Sequence, residues 1–375
     1  MNKHGWTYKK LEDVCDFSRG LTYKGKDEVD YSSNVVLRSN NVDLATYTLN
    51  FDDLKYIAED ITIPEDKFIK KNSLLICMSN GSKQHLGKVA FIDRDYPYAF
   101  GGFMGLIKPI ETEIFPKYVY YYCCSPKYKS FLHTIGNGAN INNLRFSDIG
   151  KNQLPVPPME EQEAIVAELD EINEAISALQ QQVADLDTLA QSTFYDMFGD
   201  PEKNPFGFLK YPLSELCLLK AGKAIKANQL SDKKENRYPC YGGNGVRGFI
   251  DTYSHSGIYP IIGRQGALCG NINLAQGQFY ATEHAVVASP IKEMNAMWLY
   301  FALQFMHLEK YAHGVAQPGL SVKDLNPLIM YYPPLVLQQD FAEKVEAIES
   351  AKAEINAQIA EMQTLLASRM DYYFD

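Results

Sequence analysis

No stretch of the sequence reaches about 18 uncharged apolar residues, so nothing in it predicts a helix that crosses a membrane. The seven cysteines (Cys15, Cys77, Cys123, Cys124, Cys217, Cys240, Cys269) form no Cys-x-x-Cys pair, and no histidines stand beside them at zinc-ligand spacing. This pattern predicts reduced thiols in a cytoplasmic protein. The start, MNKHGWTYKK, lacks the apolar core of a secretory leader. Catalytic signatures are also missing. Gly20-Leu-Thr-Tyr-Lys-Gly25-Lys26 approximates a phosphate-binding loop, but Asp27 stands where Ser or Thr must hold magnesium, and its charge would repel phosphate. Asn204-Pro205-Phe206-Gly207 lacks the second proline of an amino-methyltransferase motif, and no nuclease carboxylate–lysine cluster is present. These absences predict a chain that reads a ligand without catalysis and binds no cofactor itself.

The formal net charge of −10 at first argues against nucleic acid, because phosphate contacts need Lys and Arg. The charge is unevenly spread. Residues 159–200 hold eleven acids and no Lys or Arg, and residues 337–375 hold eight acids and three bases. Residues 1–158 carry 20 bases against 18 acids, and residues 201–336 carry 13 against 9. Two mildly basic segments thus alternate with two acidic ones, and the acidic ones should face away from DNA or toward a protein.

The chain repeats itself. At an offset of 176, Pro157-Pro158-Met-Glu-Glu-Gln162 falls on Pro333-Pro334-Leu-Val-Leu-Gln338, Leu169 on Val345, Ile172 on Ile348, and Phe198 on Phe374. Upstream, Gly138 meets Gly314, Leu144 meets Leu320, and Asp148 meets Asp324. At an offset of 202, Leu11 meets Leu213, Cys15 meets Cys217 and Gly20 meets Gly222. The first copy therefore carries 26 more residues between its ends than the second. The order is domain, helix, domain, helix, with boundaries at 1–158, 159–200, 201–336 and 337–375.

Ile165, Leu169, Ile172, Ile176, Leu179, Val183 and Leu186 recur at alternating spacings of four and three, a coiled-coil seam. A second seam runs through Phe341, Val345, Ile348, Ile355, Ile359, Met362 and Leu366, with Lys352 where an apolar residue is due. Each helix would span about 60 Å at 1.5 Å per residue. The seams can be buried by pairing with each other, by packing on their own domains, or by dimerisation. An antiparallel pair would bring Met1 near Asp375 and relate the domains by a pseudo-twofold axis, matching the symmetry of DNA. The fold class expected is α+β: two mixed α/β domains and two long helices forming an antiparallel coiled coil.

Short strand-like runs cover 33–44, 87–94, 258–272 and 281–289, with helical patterns at 116–124 and 295–308. Between them lie polar, glycine-containing loops suited to base edges and phosphates. Arg38, Ser39, Asn40 and Asn41 form one; Ser79, Asn80, Ser82 and Lys83 another. Tyr241, Gly243, Asn244 and Arg247, then Arg264 and Gln265, look like counterparts in the second domain. The polar turns 138–145 and 314–323 contribute Asn142, Arg145, Gln317, Ser321 and Lys323, and His284 completes the candidates. Arg264 or Gln265 has the chemistry to read G or A.

Tyr238-Pro-Cys-Tyr-Gly-Gly-Asn-Gly-Val246, Gly263-Arg-Gln-Gly266 and the twofold Pro-Pro-x-x-x-Gln helix start resemble the specificity subunit of type I restriction–modification systems, over essentially the whole chain. That resemblance implies two target-recognition domains, each reading one half of a bipartite double-stranded DNA site across a nonspecific spacer. It also implies two methyltransferase (modification) subunits docked on helices and domains, carrying S-adenosylmethionine and methylating adenine. Restriction subunits, where present, would add ATP- and magnesium-dependent translocation and cleavage. The sequence departs from the family pattern in Pro-Pro-Leu-Val-Leu-Gln338, which lacks the acids, and in Asn140-Ile-Asn-Asn143, where the second domain keeps Gln317-Pro-Gly-Leu-Ser321. The competing expectation is a coiled-coil scaffold whose two domains bind protein or sugar and have no DNA role.

Overall fold

The computed structural model describes residues 5–136, 143–235, 237–266, 268–314 and 318–375. Contacts divide it into two units, one of residues 1–180 with 357–375 and one of residues 181–356. The fold is mixed α and β in both. Among the described residues no helix is long and apolar enough to cross a membrane.

In the first unit an antiparallel sheet runs Cys15–Arg19, Met104–Pro109, Ser73–Cys77, Val89–Ile92 in spatial order. Ser73–Cys77 is buried along its whole length, as its unbroken apolar run requires of an inner strand. A second sheet orders Glu28–Val29, Lys55–Ile57, Asn34–Leu37 and Tyr98–Phe100. The second unit has one six-stranded sheet, ordered Cys217–Ala221, Ala285–Pro290, His255–Gly263, Ile272–Ala281, Tyr238–Gly242, Gly245–Ile250.

The two sequence offsets reappear as hydrogen-bond register. Thr7–Lys10 pairs antiparallel with Gln153–Val156, with Thr7 opposite Val156. Leu209–Pro212 pairs in the same way with Ile329–Tyr332, with Leu209 opposite Tyr332. The first strands differ by 202 and the second strands by 176. Each ribbon ties the entry of a domain to the strand leading into its Pro-Pro helix start. Immediately after it, the N–H of Leu11 donates to the carbonyl of Asn152 and that of Leu213 to Leu328, both across the same offsets.

The long helices are Met159–Phe198 and Leu335–Phe374, each of 40 residues. Glu160 and Glu161 lie in the first turn of the first, where the helix dipole favours acids; the second has none there. Gly199 ends the first helix at a φ of +73°, which a residue with a Cβ resists. The glutamine of each Pro-Pro-x-x-x-Gln start is the tie between helix and domain. Gln162, 1% exposed, accepts the Phe115 N–H at 2.8 Å and donates to the Pro157 carbonyl at 2.9 Å. Gln338, fully buried, accepts the Asn295 N–H at 2.9 Å and donates to Pro333 at 2.8 Å. Phe115 and Asn295 are the N-caps of equivalent helices, Pro116–Cys124 and Ala296–Phe305.

Each seam packs both on the other helix and on a domain core, so two of the expected solutions coexist. In the first unit Ile165, Val166 and Leu169 share a core with Met370, Tyr373 and Phe374 from the end of the second helix. Glu168 receives the guanidinium of Arg369, Nη2 to Oε2 at 2.9 Å, and the Tyr373 hydroxyl also donates to it. Trp6 stacks on Tyr373, which places the start of the described chain beside the C-terminal end; Met1 itself lies outside the described residues. In the second unit Ala190, Phe194 and Phe198 share a core with Phe341, Val345 and Ile348. Asp187 pairs with Lys352 at 2.6 Å while Phe194 stands 5.5 Å from Phe341, ring to ring, so these segments run antiparallel. Lys352 therefore interrupts the apolar seam in order to reach a carboxylate on the facing helix.

Replacing Gln162 or Gln338 by leucine strands a buried backbone N–H and carbonyl. Each substitution should cost about 1–3 kcal/mol in chemical denaturation, whereas a value near zero would remove the proposed tie. The Arg369 guanidinium, hydrogen-bonded to Glu168, holds that carboxyl below its ordinary value. Its stabilising contribution is then present above the ordinary glutamate range and lost as pH falls through the folded-state value. The stability gap between the native protein and E168Q should accordingly shrink as the pH drops below that range; a pH-independent gap would contradict the pairing.

Candidate nucleic-acid interface

The first unit gathers Arg38, Ser39, Asn40, Ser79 and Asn80 around a cavity of about 870 Å³. The two loops are locked together: the Asn80 amide donates to the Ser39 hydroxyl at 2.8 Å. Arg38 Nη2 reaches the Asp53 carboxylate at 3.1 Å, and the Asn40 amide donates to the same carboxylate. Ser79 forms an antiparallel bridge to Asn143, and Leu144 donates its N–H to Met78, so the turn that carries the exposed Arg145 adjoins the same rim.

The second unit builds the equivalent contact. Gln265 bridges Gly319, and Leu320 donates its N–H to Arg264; Leu144 and Leu320 are 176 residues apart. Arg264 donates its N–H to the His284 carbonyl at 3.1 Å and, through Nη1, meets the Glu283 carbonyl at 3.5 Å. A Cβ at Gly263 would strike the Gly243 carbonyl, and one at Gly243 would crowd His284 and Gln265. Gly243, Arg264, Gln265, His284 and the Gly319 turn are thereby held together, with Arg264 half-buried and Gln265 exposed.

Other candidates are placed differently. Asn41 is corrected from reader to buttress: it is 1% exposed, its Oδ1 accepts the Arg38 N–H, and its amide donates to the Asn50 and Asp53 carbonyls. Tyr241 and Arg247 are not loop residues. They lie on the strands Tyr238–Gly242 and Gly245–Ile250 of a hairpin whose tip is Gly243-Asn244. The Tyr241 ring is spent on packing edge-on against Phe279, 5.6 Å away, and Arg247 lies over Gly242. Asn244 at the tip is exposed and accepts from the Asn271 amide. Ser321 caps the short helix Val322–Leu325 in a box with Asp324, which ties up its hydroxyl; Lys323 is exposed. Ser82 and Lys83 are exposed, and Lys83 lines a second cavity of about 550 Å³ with Tyr47, Lys129 and His133. Asn142 and Gln317 lie outside the described residues.

Two residues at the rim, Asp53 and Phe103, carry no strong signal in the sequence. Asp53 is brought to Arg38 only by the fold. Phe103, 72% exposed beside Gly101 and Gly102 on the cavity wall, carried a local signal: an apolar ring next to a glycine pair. The phosphate-loop lookalike is a turn, in which Asp27 takes the Lys24 N–H at 2.7 Å and Gly25–Asp27 forms a 3₁₀ helix. Gly20 and Gly222 serve packing instead, since a Cβ at either would strike a backbone carbonyl, of Gly101 or of Ala281. Among the described residues no group of three or more His, Cys, Asp or Glu side chains is placed to hold a metal ion.

The same bridge and polar rim are thus built once in each unit. The model of the type I restriction modification DNA specificity domain matches residues 3–186 and 206–362, and the chain belongs to that family. The specificity subunit of the type I restriction enzyme EcoprrI from Escherichia coli is 46% identical over 34% of this chain and 32% of its own length. The chain thus aligns to about a third of that relative. The EcoKI specificity subunit of Escherichia coli K12 is 21% identical over 97% of this chain and 87% of its own. In structure, the chain is similar to the type I restriction–modification S subunit from M. genitalium, with TM-score 0.60 and 17% identity over 100% of this chain and 97% of the other. That likeness supports the fold.

If Arg264 reads a base edge, R264A should weaken discrimination at one or two base pairs by about 1–3 kcal/mol. Competition binding against single-base variants of the target separates this from a phosphate contact, for which the loss would be equal on every sequence.

Proposed function

We propose that this chain is the DNA specificity subunit of a cytoplasmic type I restriction–modification complex, in which each domain reads one half of a bipartite double-stranded site. The observation that carries the reading is the repeated rim: the same bridge joins Ser79 to Asn143 and Gln265 to Gly319, each beside side chains with base-reading chemistry. Arg38, Asn40 and Asn80 would serve one half-site, and Arg264, Gln265 and Asn244 the other. Exposed Lys83, Arg145, Arg247 and Lys323 suit phosphates. The domains are residues 1–158 and 201–336, and the helical segments 159–200 and 337–375 set the separation of the half-sites.

Two modification subunits would dock on the acidic helices and supply S-adenosylmethionine chemistry at adenine. ATP and magnesium would enter with restriction subunits where the system has them. The role of this chain in that chemistry is to select and hold the duplex.

Exchanging residues 201–336 for those of a family member with another target should change one half of the methylated sequence and leave the other intact. Genome-wide mapping of adenine methylation gives the answer directly. A change in both halves would break the proposed division of labour. Retention of duplex by the assembled complex regardless of sequence and salt would count against sequence reading altogether.

A further inference from the structure

Phe103 is an aromatic ring that is 72% exposed. Among the described residues it belongs to none of the buried cores, and no aromatic ring or cation stacks on it. Its backbone, by contrast, is held firmly. The Phe103 carbonyl accepts the N–H groups of Met78 and Ser79 at 2.9 and 3.1 Å, which fixes the Gly101-Gly102-Phe103 turn against the Ser79–Asn80 loop. An apolar ring on a rigid turn, on the wall of a cavity that Leu21, Tyr23 and Met104 line together with Arg38, Asn40 and Asn80, is placed for a ligand with both apolar and polar parts.

The second unit supplies an independent observation. Four backbone hydrogen bonds around Phe103 recur around His284. Gly20 donates to Met104 as Gly222 donates to Ala285, and Leu21 donates to Phe100 as Lys223 donates to Ala281. Met104 donates to Gly101 as Ala285 donates to Thr282, and Met78 donates to Phe103 as Arg264 donates to His284. Phe103 and His284 are therefore the same position of the repeated scaffold, 181 residues apart, a spacing that also relates Phe100 to Ala281, Gly101 to Thr282 and Met104 to Ala285 and that differs from the offsets of 176 and 202. Both copies present a flat ring there, beside the side chains assigned to base edges.

We propose that Phe103, and His284 at the equivalent place, make ring contacts to a nucleobase in their respective half-sites. This rests on the DNA-reading role proposed above and adds to it a contact that hydrogen bonds do not provide. The shared chemistry is apolar nucleobase surface, either the methyl group of a thymine in the major groove or the face of an unstacked base.

The native tryptophans, Trp6 and Trp298, are buried, so F103W adds an exposed indole whose emission is separable from theirs. The full chain, assembled with its modification subunits, is titrated with a labelled duplex carrying the mapped target. Anisotropy reports binding and tryptophan emission reports the contact. The expected result is quenching of the added emission on target duplex, with F103A binding that duplex about tenfold more weakly. F103A should relax only the half-site read by the first domain. Replacing each thymine of that half-site by deoxyuridine distinguishes the two sources. If native affinity falls at one position and F103A is indifferent there, the ring meets a methyl group; if quenching persists with no deoxyuridine effect, it meets a base face. Binding by anisotropy with unchanged F103W emission and unchanged F103A affinity would overturn the proposal. Failure of the native complex to bind the duplex selectively would instead overturn the DNA reading itself.

Discussion

The structure depends on the pairing of two long helices whose apolar seams have no other complete partner. An isolated amphipathic helix of this length draws little stability from propensity, and most must come from packing its apolar face. Here each helix contributes to both units. The first unit's core needs Met370, Tyr373 and Phe374, some two hundred residues downstream of the helix start they cover. The second unit's core needs Ala190, Phe194 and Phe198 from the end of the first helix. One charged pair in each unit, Glu168 with Arg369 and Asp187 with Lys352, crosses between the helices. An apolar seam alone tolerates slippage by a heptad, and a polar group placed within it penalises the wrong register. Lys352 is the clearest case, since a seam residue there would add apolar area but no registration.

On that frame the chain builds one recognition unit twice. The constants are backbone and buried features: the ribbon register, the glycine that packs on a carbonyl, the glutamine side chain that ties helix to domain, and the bridge that joins the polar turn to the central loop. None depends on the identity of exposed side chains, so those side chains are free to differ between copies. Arg38 with Asn80 in one unit and Arg264 with Gln265 in the other occupy related rims with different chemistry. This separation of scaffold from exposed side chains suits the proposed role, in which the two halves read different sequences.

The architecture was legible because it rests on periodic or repeated signals. The seams, the proline-proline starts and the offsets of 176 and 202 are all one-dimensional patterns, and the ribbons realise both offsets residue for residue. The site was less legible because turn composition does not say which polar side chains are already occupied. Asn41 and Ser321 have the right chemistry, yet both are used locally, one bracing a loop and the other capping a helix. Tyr241 sits on a strand because its glycine-rich neighbourhood is a hairpin with a two-residue tip, not an open loop. The equivalence of Phe103 and His284 was not legible because their offset of 181 matches neither 176 nor 202 and joins unlike residues, so that only the backbone hydrogen bonds reveal it.

Amide hydrogen exchange on a chain that ends at Asn356 tests the central claim most directly. That truncation removes the helix segment that completes the first unit and leaves residues 181–356 whole. The account predicts that protection is lost in peptides from the first unit, including the inner strand Ser73–Cys77, while the sheet of residues 217–290 keeps its protection. Equal protection of both units, before and after the truncation, would contradict it.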